Sequence, residues 1–502
     1  MKLLSNFRKT RSALHTSRNC IIQQCPNTRS YVTNFSKGSP EIFDIVCVGG
    51  GTAGLSLLAA LRSSPVTANL KLALVENQDV RSISHFSLPP TQFSSRCSSI
   101  TPSTVRFLVE IGAWKHIQLD RIQAYHEMQV WDGISGARIE FNWQAHEKGK
   151  TIAYMTENQN LSSALMKRIE ELGGVKIFDS QRLVDICYGE ETEHLDLREW
   201  PVLQLSSGSR LAARLLVGAD GANSPVRSFT GIESRGWDYE RVGLVATLKS
   251  KKDENKASDL KTAYQRFLPT GPVALLPLPE NYSTLVWTTT VERASHLKNL
   301  SANDFVAMVN AAFRLSLADL SYMHTIESTQ ENELLWRLQH TCFEAEKIPE
   351  EIVEVQSKSI ASFPLRLRHA DKYIEQRVAL IGDAAHSIHP LAGQGLNLGQ
   401  ADVESLVRAL RIAVKHGEDI GTMPALESYN ADRYAANHLI LGVVDKLHKL
   451  YSVENGPLIP LRSIGLRAVN TLGPLKYFFM EQAAGTGART RLDPGKASFT
   501  SC

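Results

Sequence analysis

The sequence lacks the features that mark metal proteins, disulfide-rich secreted proteins and membrane-spanning proteins. Its seven cysteines are scattered over 502 residues with no C-x-x-C pair, which favours reduced thiols over a zinc or iron–sulfur site. No apolar run is long enough to cross a bilayer. The net charge of +3 gives no electrostatic case for nucleic-acid binding. The length predicts a globular protein of two or three domains.

Acidic residues are absent before Glu41, although this region is rich in Ser, Thr and Asn. Its basic residues are Lys2, Arg8, Lys9, Arg11, Arg18, Arg29 and Lys37. A basic, acid-poor N-terminus is typical of a mitochondrial transit peptide, and a disordered basic tail is the alternative. We predict a transit peptide over residues 1–40, with a mature chain that begins near Val32.

The most informative local pattern is an apolar strand that runs into G-x-G-x-x-G at the start of a helix. Its glycines are Gly49, Gly51 and Gly54, and Glu76 ends a second apolar strand. In this pattern the first glycine permits a tight turn, the second admits a pyrophosphate, and the third packs the helix on the sheet. An acid at this distance holds a ribose hydroxyl. The sequence therefore predicts a dinucleotide site, without separating NAD from FAD.

Two later patterns also place polar residues at the ends of apolar strands. Asp220-Gly221 follows Leu215-Leu-Val-Gly-Ala, and Gly382-Asp383 follows Val378-Ala-Leu-Ile. The second turn leads to a glycine-rich loop, Gly393-Gln-Gly395-Leu396-Asn397, that opens a helix. Because the first amides of a helix are free, this loop can stabilise negative charge at the edge of a reduced flavin.

The ordered set of G-x-G-x-x-G, D-G and G-D-A-A-H-x-x-x-P-x-x-G-Q-G-x-N resembles the aromatic flavin monooxygenases of the para-hydroxybenzoate hydroxylase fold. Further segments are similar to the ubiquinone-biosynthesis branch of that family: Arg96 to Ser103, Gly112-Ala-Trp114, Ala263 to Phe267, Gly271 to Leu278 and the strand with Trp287. The resemblance covers nearly the whole predicted mature chain. It implies an α/β fold, in which a Rossmann-like FAD-binding domain carries an inserted, mainly antiparallel sheet substrate domain and a helical C-terminal tail.

The chain pattern and the resemblance together predict a segmented domain layout. The FAD-binding domain takes residues 41–120, 151–232 and 371–440. The substrate domain takes the strands of residues 121–150 and residues 233–370. The helical tail takes residues 441–502.

The resemblance assigns FAD-binding roles to individual residues. The pyrophosphate goes to Gly49, Gly51 and Gly54, and the adenosine ribose to Glu76. Arg96 and Asp220 contact the cofactor, Gly382 and Asp383 take its ribityl or ribose side, and Gly393, Gly395, Leu396 and Asn397 lie against the isoalloxazine. Asn158 stands at a weaker helix-start contact. No catalytic residue is assigned with certainty, and no metal ligand is expected.

The reaction implied by the resemblance is aromatic hydroxylation through a flavin C4a-hydroperoxide. The implied substrate is a polyprenylated 4-hydroxybenzoate or related phenol, hydroxylated at the carbon that becomes C5 of the quinone. Without a second G-x-G-x-x-G, electrons are expected from a ferredoxin and its reductase, or from NADPH bound transiently. Other ubiquinone-biosynthesis proteins in a complex, and peripheral contact with the matrix side of the inner membrane, complete the implied partners.

Several interpretations stay open at this point. The protein is alternatively a monooxygenase for another aromatic substrate, or a non-catalytic FAD-binding scaffold. Apolar strands near Val273 to Leu278 line a prenyl tunnel or form ordinary sheet core. His386 and His389 act in proton transfer or, as we favour, support the turn structurally. Tyr264, Arg235 and Arg266 meet a phenolate or carboxylate, with surface arginine as the favoured alternative.

The tail also carries a candidate membrane contact. Apolar stretches in residues 456–480 alternate with Arg462, Arg467 and Lys476. Such a segment rests on an anionic membrane surface with snorkelling cations, or closes the substrate domain as a helix.

Overall fold

A computed structural model describes residues 39–142, 151–191, 196–251, 261–341, 343–344, 347–388, 393–453 and 456–471. Residues 1–38 of the predicted transit peptide and His389 lie outside these ranges. Within them the chain forms three sheets and a set of helices around several apolar cores.

The first sheet is built around neighbouring parallel strands. Its described strands are β1 (Glu41–Val48), β2 (Leu72–Val75), β8 (Val175–Phe178), β9 (Leu183–Tyr188), β10 (Pro201–Leu205), β11 (Arg210–Gly218), β18 (Ile374–Glu375) and β19 (Val378–Leu380). The order β18-β19-β11-β1-β2-β8 places β1 and β11 centrally. Both are almost continuous apolar runs, as expected for parallel strands that are covered on both faces.

The second sheet is mainly antiparallel. Its described strands are β5 (Glu127–Asp132), β6 (Arg138–Asn142), β12 (Ser234–Ser250), β13 (Thr262–Leu268), β14 (Gly271–Pro277), β15 (Tyr282–Thr289), β16 (Ile352–Val355), β17 (Ala361–Ala370) and β20 (His386–Ser387). A third, small sheet contains β3 (Cys97–Ile100), β4 (Gln123–Tyr125) and β7 (Ala153–Glu157).

Helices cover both large sheets. They are α1 (Thr52–Ser63), α2 (Pro102–Glu110), α3 (Asn158–Leu172), α4 (Pro225–Phe229), α5 (Val291–Asn299), α6 (Ala302–Arg314), α7 (Leu317–Met323), α8 (Gln330–Leu338), α9 (Gly395–His416), α10 (Met423–Tyr451) and α11 (Leu458–Thr471). In the described part of the chain, no helix combines the length and the apolar composition needed to span a bilayer.

The apolar cores follow the two large sheets. The first core joins β1, β2 and β11 to α1, α3 and α9, and the second joins β12, β14 and β15 to α6 and α7. Val273 and Leu275 of β14 are buried in the second core, so these two residues are sheet core rather than the wall of an open tunnel. The exact domain boundaries remain a prediction.

The C-terminal helix α11 closes against the second sheet. Arg462 is fully buried and pairs with the equally buried Asp132 of β5 at 3.0 Å. Its remaining donors reach the carbonyl oxygens of Leu450 and Val453. Arg462 therefore does not contact a membrane surface. Of the other two cations in the predicted contact, Arg467 is exposed and Lys476 lies outside the described residues.

Candidate functional site

The sequence motifs converge because the strands that carry them end in one row. In the strand register Val75 pairs with Val48, Val48 with Gly218, and Gly218 with Leu380. Each motif begins one or two residues beyond that row. Carboxyl ends of parallel strands are where open α/β sheets bind ligands. The row thus assembles the G-x-G-x-x-G, D-G and G-D turns into one site.

The first turn has glycine at three positions, for different steric reasons. A Cβ on Gly49, whose φ is +108°, would lie 2.2 Å from the Ala219 carbonyl oxygen, and a Cβ on Gly54 would lie 2.0 Å from that of Gly49. Gly51 is exposed, and a Cβ at its position would meet no atom within 4 Å. Gly49 and Gly54 thus permit close backbone packing, and Gly51 leaves the start of α1 open to a ligand.

Glu76 lies beside this turn rather than out in solvent. Its carboxylate accepts hydrogen bonds from the amide of Gly50 at 2.5 Å and from that of Gln78 at 2.9 Å. Glu76 therefore holds the glycine-rich turn in place, and a ribose hydroxyl would share its oxygens with these amides.

Asp220 contributes a partly buried carboxylate to the same site. Its Oδ2 accepts from the Val226 amide at 3.1 Å, whereas its buried Oδ1 has no partner among the described residues. Burial raises the pKa of the Asp220 carboxyl, although hydrogen bonds from Ser224 and Val226 oppose this. A buried oxygen without a partner needs a donor to offset its desolvation, and a ligand hydroxyl would supply one.

The Gly382-Asp383 turn is joined directly to the Asp220 turn. Arg227 donates to the carbonyl oxygens of Ala222 and Ala384, at 2.7 Å in each case. Gly382 has a φ of +59°, which glycine adopts without strain. Asp383 is exposed, yet the protein surrounds it closely enough for desolvation to raise its pKa. Asp383 therefore presents a carboxylate at the surface beside the Gly382 turn.

The amino end of α9 presents free backbone N–H donors to the site. Residue Gln394 makes no side-chain cap, and the first helical bond runs from the Leu398 amide to its carbonyl oxygen. The amides of Gly395, Leu396 and Asn397 have no acceptor in the described part of the chain. They keep the partial positive charge of a 22-residue helix available for an anionic ligand edge.

The Asn397 side chain has a structural task of its own. Its Oδ1 accepts from Thr101 and Thr104, and its Nδ2 donates to the carbonyl oxygens of Ser99 and Gly393. All of its side-chain groups are therefore used within the protein. A contact of Asn397 with the isoalloxazine would have to come from its backbone.

Arg96 is the least engaged of the predicted residues. Its side chain is exposed and makes no hydrogen bond or ion pair within the described ranges, whereas its carbonyl oxygen accepts from the amide of Asn158 at 2.9 Å. Asn158 in turn accepts from Ser98 at 2.6 Å. Arg96 remains free to contact a ligand, and Asn158 supports the backbone beside it.

Sequence reasoning missed the buried carboxylate behind the Gly382 turn. Asp402 of α9 is completely buried and accepts from the Gly382 amide at 3.1 Å and from His386 at 2.6 Å. Its other oxygen accepts from Arg433 at 2.9 Å and Asn437 at 3.0 Å, both on α10. Asp402 thus ties the turn to α10. His386 serves this network, which fits its favoured structural interpretation.

An apolar cluster adjoins the amino end of α9. It includes Phe93, Met155 and Leu278, together with Tyr125, whose hydroxyl lies 2.9 Å from that of Ser99. A Cβ built on Gly393 would lie 3.6 Å from the Cβ of Ser99. Burial raises the pKa of Tyr125, which keeps the phenol protonated. The cluster offers a dry, mainly apolar wall beside the predicted flavin edge.

Two arginines considered for substrate contact lie in opposite environments. Arg235 is exposed and pairs with Asp371 at 2.9 Å. Arg266 is buried in the second sheet, donates to the Ala312 carbonyl oxygen, and has its pKa lowered to about 10 by burial. The surface interpretation is right for Arg235 and wrong for Arg266, because Arg266 points into the packed interior. Tyr264 is partly buried on the same strand.

Comparison with known proteins decides the family. The family model described as FAD binding domain matches residues 43–441. The ubiquinone biosynthesis monooxygenase COQ6 of Schizosaccharomyces pombe is 41% identical over 448 residues, which cover 88% of this chain and 92% of that protein. The chain belongs to the COQ6 family of FAD-dependent monooxygenases. The COQ6 proteins of Saccharomyces cerevisiae and Homo sapiens are 40% and 36% identical, over 89% and 88% of this chain and 95% and 92% of their own lengths.

Solved structures agree on the fold. The p-nitrophenol 4-monooxygenase PnpA of Pseudomonas putida superposes with a TM-score of 0.62 at 17% identity, covering 90% of this chain and 100% of its own. A Klebsiella pneumoniae HpxO variant complexed with FAD gives 0.60 at 15% identity, covering 89% and 99%. The predicted fold class is confirmed, and FAD is the cofactor of this family member. The orphaned Asp220 oxygen, the open Gly51 turn and the free α9 amides fit that cofactor.

Proposed function

We propose that this monooxygenase hydroxylates the ring of a polyprenylated 4-hydroxybenzoate-type precursor in ubiquinone biosynthesis, at the carbon that becomes C5. The observation that carries the proposal is the likeness to ubiquinone biosynthesis monooxygenases over nearly nine-tenths of the chain. The second support is that the strands before all three cofactor motifs end in one row of the first sheet.

Individual residues take the roles that the family resemblance implies. Gly49, Gly51 and Gly54 admit the pyrophosphate to the start of α1, and Glu76 and Asp220 accept hydroxyl donors. Gly382 and Asp383 hold the ribityl or ribose side, while Arg96 lies free for a further contact. Gly393 and the amides of Gly395, Leu396 and Asn397 stabilise the negative edge of the isoalloxazine.

Bound FAD supplies the electrons that activate oxygen for transfer to the ring. The protein's own part is to orient the phenol and exclude water. The cluster of Phe93, Met155 and Leu278 provides the dry surface, and Tyr125 provides a protonated hydroxyl at its edge. Such a site needs no nucleophile of its own, because the bound cofactor would supply the reactive chemistry and the protein would position the phenol.

The partners and the location extend this proposal. We expect electrons from a ferredoxin and its reductase, or from NADPH, and association with other ubiquinone-biosynthesis proteins. The COQ6 relatives are named as mitochondrial, and the protein is mitochondrial on that basis. The proposed place is the matrix side of the inner membrane, in peripheral contact, which suits a lipid-soluble substrate.

The test is a single turnover with isotopically labelled oxygen. The chain from Val32 onward is loaded with FAD, reduced chemically without oxygen, and then mixed with labelled oxygen and a prenylated 4-hydroxybenzoate. Mass spectrometry should find a ring product with one labelled oxygen atom. Asp383→Ala should lose the product together with FAD, and Asp371→Ala, which changes a surface carboxylate, should keep both. Peroxide release without ring product across prenyl lengths would reject the proposed substrate class.

A further inference from the structure

The second half of α10 buries a mixed set of side chains and leaves a line of apolar side chains exposed. Between Ala435 and Tyr451 the buried face contains the polar Asn437, Asp445 and His448 together with the apolar Leu441, Val444 and Tyr451. Apolar side chains turn outward at Leu439, Val443 and Leu447, which are 68%, 48% and 37% exposed. A surface helix normally buries its apolar stripe.

Specific partners fix this orientation. Asn437 donates to the buried Asp402 of α9 at 3.0 Å, and Asp445 accepts from the Tyr239 hydroxyl of β12 at 3.2 Å. At the end of the helix, the Tyr451 ring stacks on Phe267 of β13 with ring centroids 3.9 Å apart. These contacts fix which side of the second half of α10 faces the interior, so the apolar side faces outward from the described part of the chain.

The outward face is continuous and carries no negative charge. Spacings of four place Leu439, Val443 and Leu447 on one line of the helix, with Gly442 and Lys446 between them. Its neighbouring outward positions include Ala435 and His438. No carboxylate lies among these positions, since Asp445 turns inward. Lys449 flanks the face and pairs with Asp445 at 2.8 Å.

We infer that this outward face of α10, defined by Leu439, Gly442, Val443, Lys446 and Leu447, docks on an anionic lipid bilayer. An apolar helix face flanked by lysines matches the interfacial mode of membrane binding, in which aliphatic side chains enter the headgroup boundary and cations meet anionic lipids. Protein interfaces are instead enriched in aromatic residues and arginine and depleted in lysine. The five residues that define this face are aliphatic, glycine or lysine, and none is aromatic.

The neighbouring helix extends the same chemistry. α11 exposes Leu461, Ile464 and the cation of Arg467. α10 also contacts β12 and β13 of the second sheet through Asp445 and Tyr451, as described above. The docking face therefore belongs to the part of the protein that contacts the proposed substrate sheet, as a lipid-soluble substrate requires. The choice of a lipid partner rests on the proposed function.

The test compares two matched pairs of exposed apolar residues in the FAD-loaded protein. Leu439→Gln/Val443→Gln alters the α10 face, and Leu335→Gln/Trp336→Gln alters α8, where the two side chains are 58% and 56% exposed. Flotation is measured with vesicles of phosphatidylcholine containing cardiolipin and with phosphatidylcholine alone. We expect the α10 variant to lose binding to the anionic vesicles by about tenfold or more, and the α8 variant to bind like the wild type.

A second pair of variants tests whether lysine charge contributes to vesicle binding. Lys446→Gln should weaken binding to cardiolipin vesicles severalfold, and Lys415→Gln on the exposed end of α9 should leave it unchanged. Equal binding by the α10 variant and the wild type would overturn the inference, as would failure of the wild type to bind anionic vesicles. A dimer in light scattering that the α10 changes dissociate would assign the face to a second copy instead.

The same variants separate this inference from the proposed hydroxylation. A phenol with a short prenyl chain reaches the site from water, so the α10 variant should hydroxylate it at the wild-type rate without vesicles. Wild-type protein that floats with vesicles but hydroxylates no prenylated phenol would reject the proposed function and keep the docking face.

Discussion

The two large sheets are stabilised by different kinds of constraint. Around the first sheet the decisive constraints are local and steric: the Cβ positions of Gly49 and Gly54 are excluded by backbone atoms of the same motif or of the adjacent strand. In the second sheet the decisive constraints are polar contacts between residues far apart in the sequence. An example is the buried pair of Asp132 and Arg462, which are 330 residues apart.

This difference explains why the first sheet can be recognised from sequence motifs and the second sheet cannot. A steric exclusion demands one residue type, glycine, at a fixed place in a short segment. A buried ion pair demands only that two charges meet in space, and neither residue carries a local signature. Substitutions at Gly54, Arg462, Asp402 and His324 probe the two kinds of constraint, in decreasing order of expected effect.

Gly54→Val should have the largest effect. Its Cβ would fall 2.0 Å from the backbone oxygen of Gly49, so α1 must move away from the turn. We expect a loss of about 4 kcal/mol of stability or more, together with loss of bound FAD. Thermal unfolding measures the stability, and flavin absorbance measures the bound FAD.

The control is Gly51→Ala. Its Cβ meets no atom within 4 Å, so it should weaken FAD binding without lowering the melting temperature of the FAD-free protein. Equal destabilisation by both changes would refute the steric explanation.

Arg462→Met tests the second sheet by leaving Asp132 as an uncompensated buried charge. Breaking a buried pair in this way costs about 3–5 kcal/mol, so the urea midpoint should fall clearly. Arg467→Met, at an exposed position later on the same helix, should change the midpoint little. The double change Arg462→Met/Asp132→Asn should recover part of the loss, and no recovery would mean that Arg462 acts through packing alone.

The sequence predicted the first sheet better than the second for the same physical reason. Gly49, Gly54 and Gly382 are fixed by close approach or positive φ, and each lies where its motif requires. Whether they and the other predicted residues contact FAD remains a prediction.

Other features could not be predicted because they depend on contacts far apart in the sequence. The sequence favours a surface position for Arg266, but strand β13 turns this residue into the interior. Asp402 has the sequence context of an ordinary helix residue, because its partners on α10 follow it by 31 and 35 residues. A buried polar network is visible only after the elements are packed.

Asp402→Asn tests both kinds of constraint, because a polar contact of Asp402 supports the Gly382 turn. An amide cannot accept from all four donors, so either the Gly382 and His386 side or the Arg433 and Asn437 side loses its acceptor. We expect the FAD dissociation constant to rise on the order of tenfold or more. Flavin fluorescence titration measures it.

The matched control for this change is Asp432→Asn, which alters a carboxylate of α10 that pairs with Arg408 in an exposed position. It should leave FAD affinity unchanged. If Asp402→Asn lowers the melting temperature of the FAD-free protein but not the affinity for FAD, Asp402 stabilises α10 and does not position the turn.

His324 gives the smallest and most specific effect, in the second sheet's helical cover. Both ring nitrogens are buried without a hydrogen-bond partner in the described part of the chain, and the ring lies near Trp287 and His296. Burial, with smaller contributions from Arg293 and His296, lowers the pKa of His324 to about 3. The folded protein therefore keeps this ring neutral at pH values where the unfolded chain protonates it.

The sign follows from proton linkage. Above the pKa of about 6.5 that histidine has in the unfolded chain, His324 is neutral in both states and does not change the free energy of unfolding with pH. Below that pH only the unfolded state gains a proton, so the free energy of unfolding falls. His324→Phe should remove about one proton from the pH dependence of unfolding between about pH 6.5 and pH 4, measured by urea titration at each pH. His416→Gln, an exposed histidine of α9, should leave the slope intact. An unchanged slope in His324→Phe would mean that water reaches the ring and that burial does not keep it neutral.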